Sequence, residues 1–364
     1  MKIVAKIGSS SITDEHGEIS RPAIEKLAAE VAALRGQGHR VVVVTSGAIA
    51  AGLPALGLAG TRQVEVATLQ AVSSVGQIRL MAAYDDALRR HGLVAGQVLL
   101  AQLDLMERSQ AVQAQQTFER LLYLGAVPVV NENDAVADDE IRYGDNDHLA
   151  ALVAHLISAD LLVLLTDIAG LHSADPRLDA GASLIDEIFE SDHAVDDMAG
   201  GPGTPRGSGG MASKVRAAKI ASWSGIRTVI AAADRPGILA AAVAGEPGVG
   251  TVVRPRDRRL AARKLWIAFA KGFDGVLEVD EGARLALLER QTSLLPVGVV
   301  AVTGNFQAGA AVEIADKAGT VFAKGLVRMG AAEIRSVAGR RTVDLPEGTP
   351  HEVVHRDDLV VTMS

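Results

Sequence analysis

Between residues 1 and 253, short runs rich in valine, isoleucine and leucine alternate with segments long enough to form helices. Apolar runs of this kind are typical of strands that are covered on both faces of a sheet. They predict strands at 3–7, 41–44, 93–100, 126–130, 161–165 and 227–231. Strands that alternate with helices form mainly parallel sheets with right-handed crossovers. We therefore predict an α/β fold for this part of the chain, with helices on both faces of the sheet.

The segment between the first two predicted strands has the pattern of a single helix. Ser20 and Pro22 suit its start, and Gly36 and Gly38 suit its end. The apolar residues between these limits recur every three or four positions, at Ile24, Leu27, Ala28, Val31 and Leu34. This is the spacing of one face of a helix.

Length and composition exclude several classes of protein. A chain of 364 residues exceeds one ordinary domain, so we expect two. The absence of cysteine excludes disulfide scaffolds, zinc fingers and thiol nucleophiles. A net charge of −8 argues against nucleic acid as the main partner. No apolar stretch suits a membrane span or a signal peptide, so we expect a cytoplasmic protein with no membrane partner.

The charge is distributed unevenly along the chain. Segment 254–273 has seven basic residues against one acidic residue, whereas the chain on either side of it is net negative. We predict a domain at 1–253, a basic linker at 254–273 and a second domain at 274–364. A basic run of this kind is either a solvated linker or an exposed helix face, and it is only a weak sign of an anionic partner.

Small or polar residues follow four of the predicted strands directly. They are residues 8–10, 45–47, 131–134 and 166–167. Each group alone could be a helix cap. In open α/β sheets, however, ligands bind at the carboxyl ends of the strands, so four such groups predict a ligand site at one edge of the sheet.

Two glycine-containing segments suggest phosphate binding. Residues 45–48 open a helix directly after a strand, where backbone N–H groups can hold an anion. Segment 200–210 has six glycines in eleven residues and leads into a helical stretch with Lys214 in its first turn. It is either a flexible surface loop or a phosphate cradle. Neither segment matches GxxxxGK[ST], and no GxGxxG follows the first strand, so neither a P-loop hydrolase nor a dinucleotide oxidoreductase is indicated.

Lys6 and the acidic segment 138–147 are further candidates for a site. Lys6 lies inside an apolar strand, so it either reaches solvent or meets an anion, because a buried ammonium group is unfavourable without one. Segment 138–147 has five acidic residues and one basic residue. It is either a solvated loop or a group that binds Mg²⁺ or a substrate ammonium group. In the last case the substrate could be an amino acid.

Six motifs occur in the chain in the following order: AKIGSS (5–10), VVVVTSGAIAAG (41–52), PVVNENDAVA (128–137), GDND (144–147), LLTDIAGLHSADPR (164–177) and SGGMASK (208–214). Together they resemble the glutamate 5-kinases of the amino acid kinase family. Residues 275–314 resemble the start of a PUA domain, a small β-barrel shared with RNA-modifying enzymes. The resemblance implies an amino acid kinase fold followed by a small, mostly β, PUA-like barrel domain.

The resemblance also implies roles for particular residues. Lys6 and Lys214 would contact ATP and the transferring phosphoryl group, and Asp147 would organise the two lysines. Mg²⁺ would be held mainly through the ATP phosphates. The residues implied to bind glutamate are Ser46, Asp134 and Asn146. The residues implied to bind ATP, besides the two lysines, are Thr166, Asp167, Ser208, Gly209, Gly210, Met211, Ala212 and Ser213.

One motif departs from the family pattern. The nucleotide loop commonly reads TGGMxTK, whereas this chain has Ser208 and Ser213 in place of the two threonines. A hydroxyl group remains at both positions. We therefore expect a change in the affinity for the nucleotide rather than a loss of function.

The implied reaction is ATP + L-glutamate → ADP + γ-L-glutamyl phosphate, the first step of proline biosynthesis. A glutamate side chain has a pKa near ~4.3, so at pH 7 the nucleophile is already ionised. No general base is required. In-line phosphoryl transfer then depends on positioning and on cations, which two lysines, Mg²⁺ and the amides of the glycine loop would supply.

Two alternatives remain open at this stage. The chain could be another amino acid kinase that acts on acetylglutamate, aspartate or a nucleoside monophosphate. It could also bind RNA through the PUA-like domain, although residues 274–364 are net negative and have only two aromatic residues, Phe306 and Phe322. The resemblance further implies a homo-oligomer, a dimer or a tetramer, and proline as a feedback inhibitor at the glutamate site.

Overall fold

The chain divides into two compact units, Met1–Arg259 and Leu260–Ser364. The computed structural model describes residues 1–14, 18–60, 65–101, 105, 108–136, 146–174, 179, 181–189, 210–256, 259–260, 262–269 and 273–362. The boundary between the two units lies inside the basic segment 254–273. Among the described residues, no helix is both long and apolar enough to cross a membrane.

The first unit is built on an eight-stranded sheet with the order β3-β4-β2-β1-β5-β7-β8-β6. The strands are β1 (Lys2–Ile7), β2 (Arg40–Val44), β3 (Ala95–Leu100), β4 (Val127–Glu132), β5 (Leu161–Thr166), β6 (Glu187–Ile188), β7 (Arg227–Ala232) and β8 (Thr251–Val253). Neighbouring strands are parallel except β7 and β8, which are antiparallel. All six strands predicted from the sequence are present, so the mainly parallel sheet is confirmed.

Helices cover both faces of this sheet. They are α1 (Ser9–Ile12), α2 (Arg21–Gly36), α3 (Ala48–Ala55), α4 (Val66–Arg90), α5 (Arg108–Tyr123), α6 (Asn146–Leu156), α7 (Met211–Trp223) and α8 (Ile238–Ala244). The five residues of the predicted apolar stripe are all buried on α2. Ile3, Ala5 and Ile7 of β1 share one core with α2, α4 and α8. Lys6 points to the opposite face, where it meets Asp147 at the start of α6.

The register of the central strands brings four polar segments to one edge of the sheet. Lys6 pairs with Val44 at the end of β2 and with Leu164 near the end of β5. Val44 in turn pairs with Val130 of β4. Because these neighbouring strands are parallel, residues 8–10, 45–47, 131–134 and 166–167 all lie at or directly after the carboxyl ends of their strands, at one edge of the sheet, as the sequence predicts.

The described residues of the second unit form a five-stranded sheet and three α-helices. Its elements are α9 (Ala262–Phe269), β9 (Gly275–Val279), α10 (Glu281–Arg290), β10 (Val299–Gly304), β11 (Ala311–Ala315), β12 (Val321–Val327), α11 (Ala331–Val337) and β13 (Val354–Val361). The strand order is β10-β9-β11-β12-β13, and the pairs are antiparallel except β9 with β11. Part of the segment predicted as a linker is therefore a helix, α9, of this unit. Phe306 and Phe322 lie in the core, which removes both from any surface for stacking bases.

Candidate active site

Two lysines and one aspartate meet at the carboxyl edge of the large sheet. Lys6 Nζ lies 2.6 Å from Asp147 Oδ1, and Lys214 Nζ lies 3.1 Å from Asp147 Oδ2. All three residues are buried: Lys6 is 5% exposed, Asp147 is 1% exposed and Lys214 is 6% exposed. They come from β1, α6 and α7, so only the fold brings them together. Their combined formal charge of +1 in a buried place favours the binding of an anion.

The neighbours of Asp147 keep its carboxyl group ionised. Burial by itself raises the pKa of this carboxyl group. The charges of Lys6 and Lys214, together with hydrogen bonds from Lys6 and Ser213, outweigh burial and bring the pKa below its usual range. Asp147 is therefore an anion at neutral pH, and it can fix the positions of both ammonium groups.

Ser213 supports the same cluster. Its hydroxyl donates a 2.7 Å hydrogen bond to Asp147 Oδ2 and lies 3.2 Å from the carbonyl oxygen of Gly210. This side chain therefore reaches the aspartate at the start of α6 from the first turn of α7. The contact with Asp147 is a role that the sequence does not indicate, since it spans 66 positions.

A second group of side chains forms a continuous series of hydrogen bonds, which we call the amide relay: Ser46, Asn146, Asn131 and Gln77. Asn146 Nδ2 donates to Ser46 Oγ at 2.9 Å and to Asn131 Oδ1 at 3.2 Å. Asn131 Nδ2 donates to Gln77 Oε1 at 2.8 Å. The structure thus brings Ser46 and Asn146 into contact. Sequence reasoning missed Gln77, and it placed Asn131 at the ligand edge, as part of the group 131–134, without giving it a role of its own.

The relay ends at a cavity that also contains Asp134. The cavity has a volume of about 260 Å³, and Gln77, Glu132, Asn133 and Asp134 are among its lining residues. Burial raises the pKa of Asp134 to about 6. A carboxylate in such a place is well suited to bind an ammonium group, which would restore its ionised form.

Helix α4 reaches this site because of two glycines. A Cβ atom on Gly52 would collide with the carbonyl oxygen of Val72, and one on Gly76 would collide with that of Ala48. Helices α3 and α4 can therefore cross backbone against backbone only because these residues are glycine. The crossing places Gln77 beside the turn that contains Ser46.

We expect Gly76→Ala to lower the free energy of unfolding by about 1–3 kcal/mol or more, since the added methyl group must force the two helices apart. Gly36→Ala is the matched control, because a Cβ at this exposed helix position meets nothing within 4 Å. Thermal melts of both variants test the expectation. An unchanged melting temperature for Gly76→Ala would contradict the backbone contact.

The residues implied to bind the nucleotide are only partly described. Thr166 ends β5, is buried, and donates a 3.0 Å hydrogen bond to Asp167 Oδ1. Gly210 caps α7, and Met211 and Ala212 begin it. Ser208 and Gly209 lie outside the described residues, as do most of segment 200–210 and residues 138–145 of the acidic segment.

The described residues offer no ready-made metal site. Within the described ranges, no group of three or more histidine, aspartate or glutamate side chains could hold a metal ion. Both carboxylate oxygens of Asp147 already meet a lysine. What this arrangement can do chemically is to receive an anion beside two fixed ammonium groups.

Comparison with known proteins identifies the families to which the two parts of the chain are similar. Residues 1–232 match the model of the amino acid kinase family, and residues 275–349 match that of the PUA domain. A carbamate kinase from Giardia lamblia bound to AMP-PNP has a similar structure, with a TM-score of 0.51, covering 70% of this chain and 98% of that one. At 17% identity this likeness shows the fold alone.

Similar proteins cover the whole chain. A protein from Trichlorobacter lovleyi named glutamate 5-kinase is 44% identical over 99% of this chain and 96% of its own length. One with the same name from Chromobacterium violaceum is 45% identical, over 99% of this chain and 97% of its own length. The chain therefore belongs to the amino acid kinase family and, within it, to the group of full-length relatives named glutamate 5-kinase.

Proposed function

We propose that this protein transfers the γ-phosphoryl group of ATP to the γ-carboxylate of L-glutamate and so catalyses the first step of proline biosynthesis. The observation that carries this proposal is the buried cluster of Lys6, Asp147 and Lys214 at the carboxyl edge of β1. The names of the full-length relatives support glutamate as the substrate.

The cluster suits the main difficulty of the reaction, which is to bring one anion to another. The substrate carboxylate is itself the nucleophile, so no side chain needs to remove a proton. Lys6 and Lys214 would neutralise negative charge on the transferring phosphoryl group, and Asp147 would hold both ammonium groups in place. Amides of the glycine loop before α7 would bind further phosphate oxygens.

The amide relay and Asp134 suit the amino acid. Ser46 and Asn146 would orient the reacting carboxylate, while Asp134 would bind the α-ammonium group in the cavity that it lines. Together these contacts would direct the γ-carboxylate, rather than the α-carboxylate, towards the two lysines.

Mg²⁺ would be carried mainly by the nucleotide. Mg²⁺ in kinase sites is held by substrate phosphates with one or two carboxylates, and it neutralises charge on the β- and γ-phosphoryl oxygens. Asp167 is a carboxylate of the proposed nucleotide pocket that could assist. Asp147 serves the two lysines instead.

The direct test is ADP release in a coupled assay with a panel of substrates: L-glutamate, acetylglutamate, aspartate and a nucleoside monophosphate. We expect ADP release only with L-glutamate. A preference for any other member of the panel would replace glutamate as the substrate while leaving the kinase assignment in place.

Two further proposals come with this function. Proline shares the α-carboxylate and the α-nitrogen of glutamate, so we propose that it competes for the same cavity as a feedback inhibitor. We also propose a homo-oligomer, a dimer or a tetramer, as the working form. Inhibition kinetics and light scattering test the two separately.

The raised pKa of Asp134 predicts a specific pH dependence. Only the ionised carboxylate attracts an ammonium group, and in the free protein Asp134 takes up a proton as the pH falls through about 6. The KM for L-glutamate should therefore rise about fourfold between pH 7.5 and pH 5.5, while glutamate itself, with a side-chain pKa of ~4.3, stays ionised. In Asp134→Asn this rise should disappear. Parallel profiles in the two proteins would exclude Asp134 as the titrating group.

We propose that the first unit is a kinase by itself. Every residue of the proposed site lies between Lys6 and Lys214, and a unit of ~250 residues can bury about three quarters of its unfolded surface. A fragment of residues 1–259 should therefore fold and release ADP with glutamate, with altered regulation or metal dependence as its main defect. A fragment that is folded by circular dichroism but inactive would show that the second unit completes the site.

The C-terminal residue chosen for this fragment should affect its thermal stability. The carbonyl oxygen of Arg254 accepts a 2.7 Å hydrogen bond from Ser222, and Arg259 donates one of 2.7 Å to the carbonyl oxygen of His155. A fragment of residues 1–253 loses both bonds. We therefore expect it to melt at a lower temperature than 1–259.

A further inference from the structure

Gln77 is a buried glutamine, and only one of the two polar atoms of its side-chain amide has a hydrogen-bond partner among the described residues. It is 8% exposed, and its Oε1 atom accepts the hydrogen bond from Asn131. Within the part of the chain that the structure describes, its Nε2 group has no hydrogen-bond partner. A buried donor without an acceptor is unfavourable in a folded protein. In the wall of a ligand cavity, such a donor indicates an acceptor that arrives with the ligand.

The polarity of the amide relay explains why the unused group is a donor. Asn146 donates to Ser46 and to Asn131, and Asn131 donates to Gln77. The side-chain nitrogens of both asparagines therefore have acceptors already. Among the described, fully buried side-chain atoms of the relay, Gln77 Nε2 and Asn146 Oδ1 are the two without a hydrogen-bond partner, and the first of them is a donor. At the cavity, the relay can therefore donate a hydrogen bond to an acceptor atom of a ligand.

The charges around the cavity indicate which group this is. Gln77 and Asp134 line the same cavity, and none of its described lining residues is lysine, arginine or histidine. An amino acid has its α-ammonium and α-carboxylate groups on one carbon atom. If Asp134 binds the ammonium group, the α-carboxylate is left to the neutral donors of the wall, and among its described residues Gln77 Nε2 is the donor that is buried without a partner. Ser73, a hydroxyl on this wall, already donates to the carbonyl oxygen of Gln70.

We propose that Gln77 binds the α-carboxylate of the amino acid substrate through its Nε2 group and is a specificity-determining residue of this site. The inference rests on the proposed function, because it takes L-glutamate as the substrate. Asp134 and Gln77 would then form a pair that recognises the two charged groups on the α-carbon. An amine that lacks the α-carboxylate would lose the contact with Gln77 and keep that with Asp134.

Two variants of Gln77 test the proposal. In Gln77→Glu the side chain can still accept from Asn131, but it cannot donate and it repels a carboxylate. Gln77→Met is uncharged and of similar length. We expect the KM for L-glutamate to rise at least about tenfold in Gln77→Glu and about fivefold in Gln77→Met, with the KM for ATP within about twofold of the parent.

A competing ligand separates binding from a merely structural role. 4-Aminobutanoate is glutamate without its α-carboxylate, so its inhibition constant against glutamate should rise less than about twofold in Gln77→Glu, which keeps the acceptor for Asn131. If Gln77 acted only by holding Asn131, the affinities for both ligands would change by the same factor, and this result would overturn the proposal.

The control is Gln97→Glu, which places the same charge on an exposed residue of the same cavity wall. We expect the KM for glutamate to rise less than about threefold there. An equal rise in Gln97→Glu and Gln77→Glu, or a Gln77→Glu value within about threefold of the parent, would overturn the proposal. If Gln77→Glu fails to fold, the two KM values of Gln77→Met decide: the KM for L-glutamate should rise about fivefold, and the KM for ATP should stay within about twofold of the parent. A parent protein inactive with L-glutamate would overturn the proposed function and this inference together, whereas an active parent with unaffected Gln77 variants would overturn the inference alone.

Discussion

Lys214→Ala should lower turnover by about 10²–10³-fold, because the variant loses one of two cations that face the transferring phosphoryl group. The fold should survive the change. Asp147 keeps its 2.6 Å ion pair with Lys6 and its 2.7 Å hydrogen bond from Ser213, so no buried charge is left without a partner. The loss should therefore appear in kcat with little change in the thermal melt.

The matched control for this variant is Arg216→Ala. Arg216 lies two residues further along the same helix and is exposed, so the control removes the same charge from the surface of α7. We expect its turnover to stay within about twofold of the parent. If Lys214→Ala retained turnover within about threefold of the parent, Lys214 would have no part in stabilising the transition state.

Asp134→Asn should raise the KM for L-glutamate by about 10–100-fold while the KM for ATP changes less than about twofold. The substitution keeps the shape of the side chain but removes the charge that would bind the α-ammonium group. It also removes a half-buried carboxylate whose pKa is raised to about 6, so the protein itself should not be destabilised.

Initial rates over a matrix of glutamate and ATP concentrations give both constants in one experiment. Asn133→Ala is the control, because Asn133 lines the same cavity without carrying a charge. A rise in both KM values by the same factor in Asp134→Asn would assign Asp134 to the architecture of the site rather than to the substrate.

The sequence predicts the sheet well because the signals for its strands are local. The run at 41–44 is apolar at every position, and the structure buries all four residues in β2. The stripe on α2 follows from the period of the helix alone. Lys6 also stands out locally, since a lysine in an apolar strand needs a partner.

The partners in the site are harder to predict because they are distant in the chain. Five acidic residues of segment 138–147 look alike in the sequence, and only the position of Asp147 in the first turn of α6 places it against β1. Gln77 lies in the middle of a 25-residue helix with nothing unusual around it except Gly76. Its contact with Asn131 spans 54 positions and exists only because α3 and α4 cross so closely.

The central claim is that the γ-carboxylate of glutamate attacks ATP directly beside Lys6 and Lys214, without a general base. The measurement that tests it is the transfer of oxygen. Glutamate labelled with ¹⁸O in its γ-carboxylate is incubated with ATP and the protein, and hydroxylamine then cleaves the acyl phosphate at its carbonyl carbon. We predict that each phosphate released carries one labelled oxygen, because the bridging atom comes from the carboxylate. Phosphate without the label would mean that water is the nucleophile, and it would contradict this account.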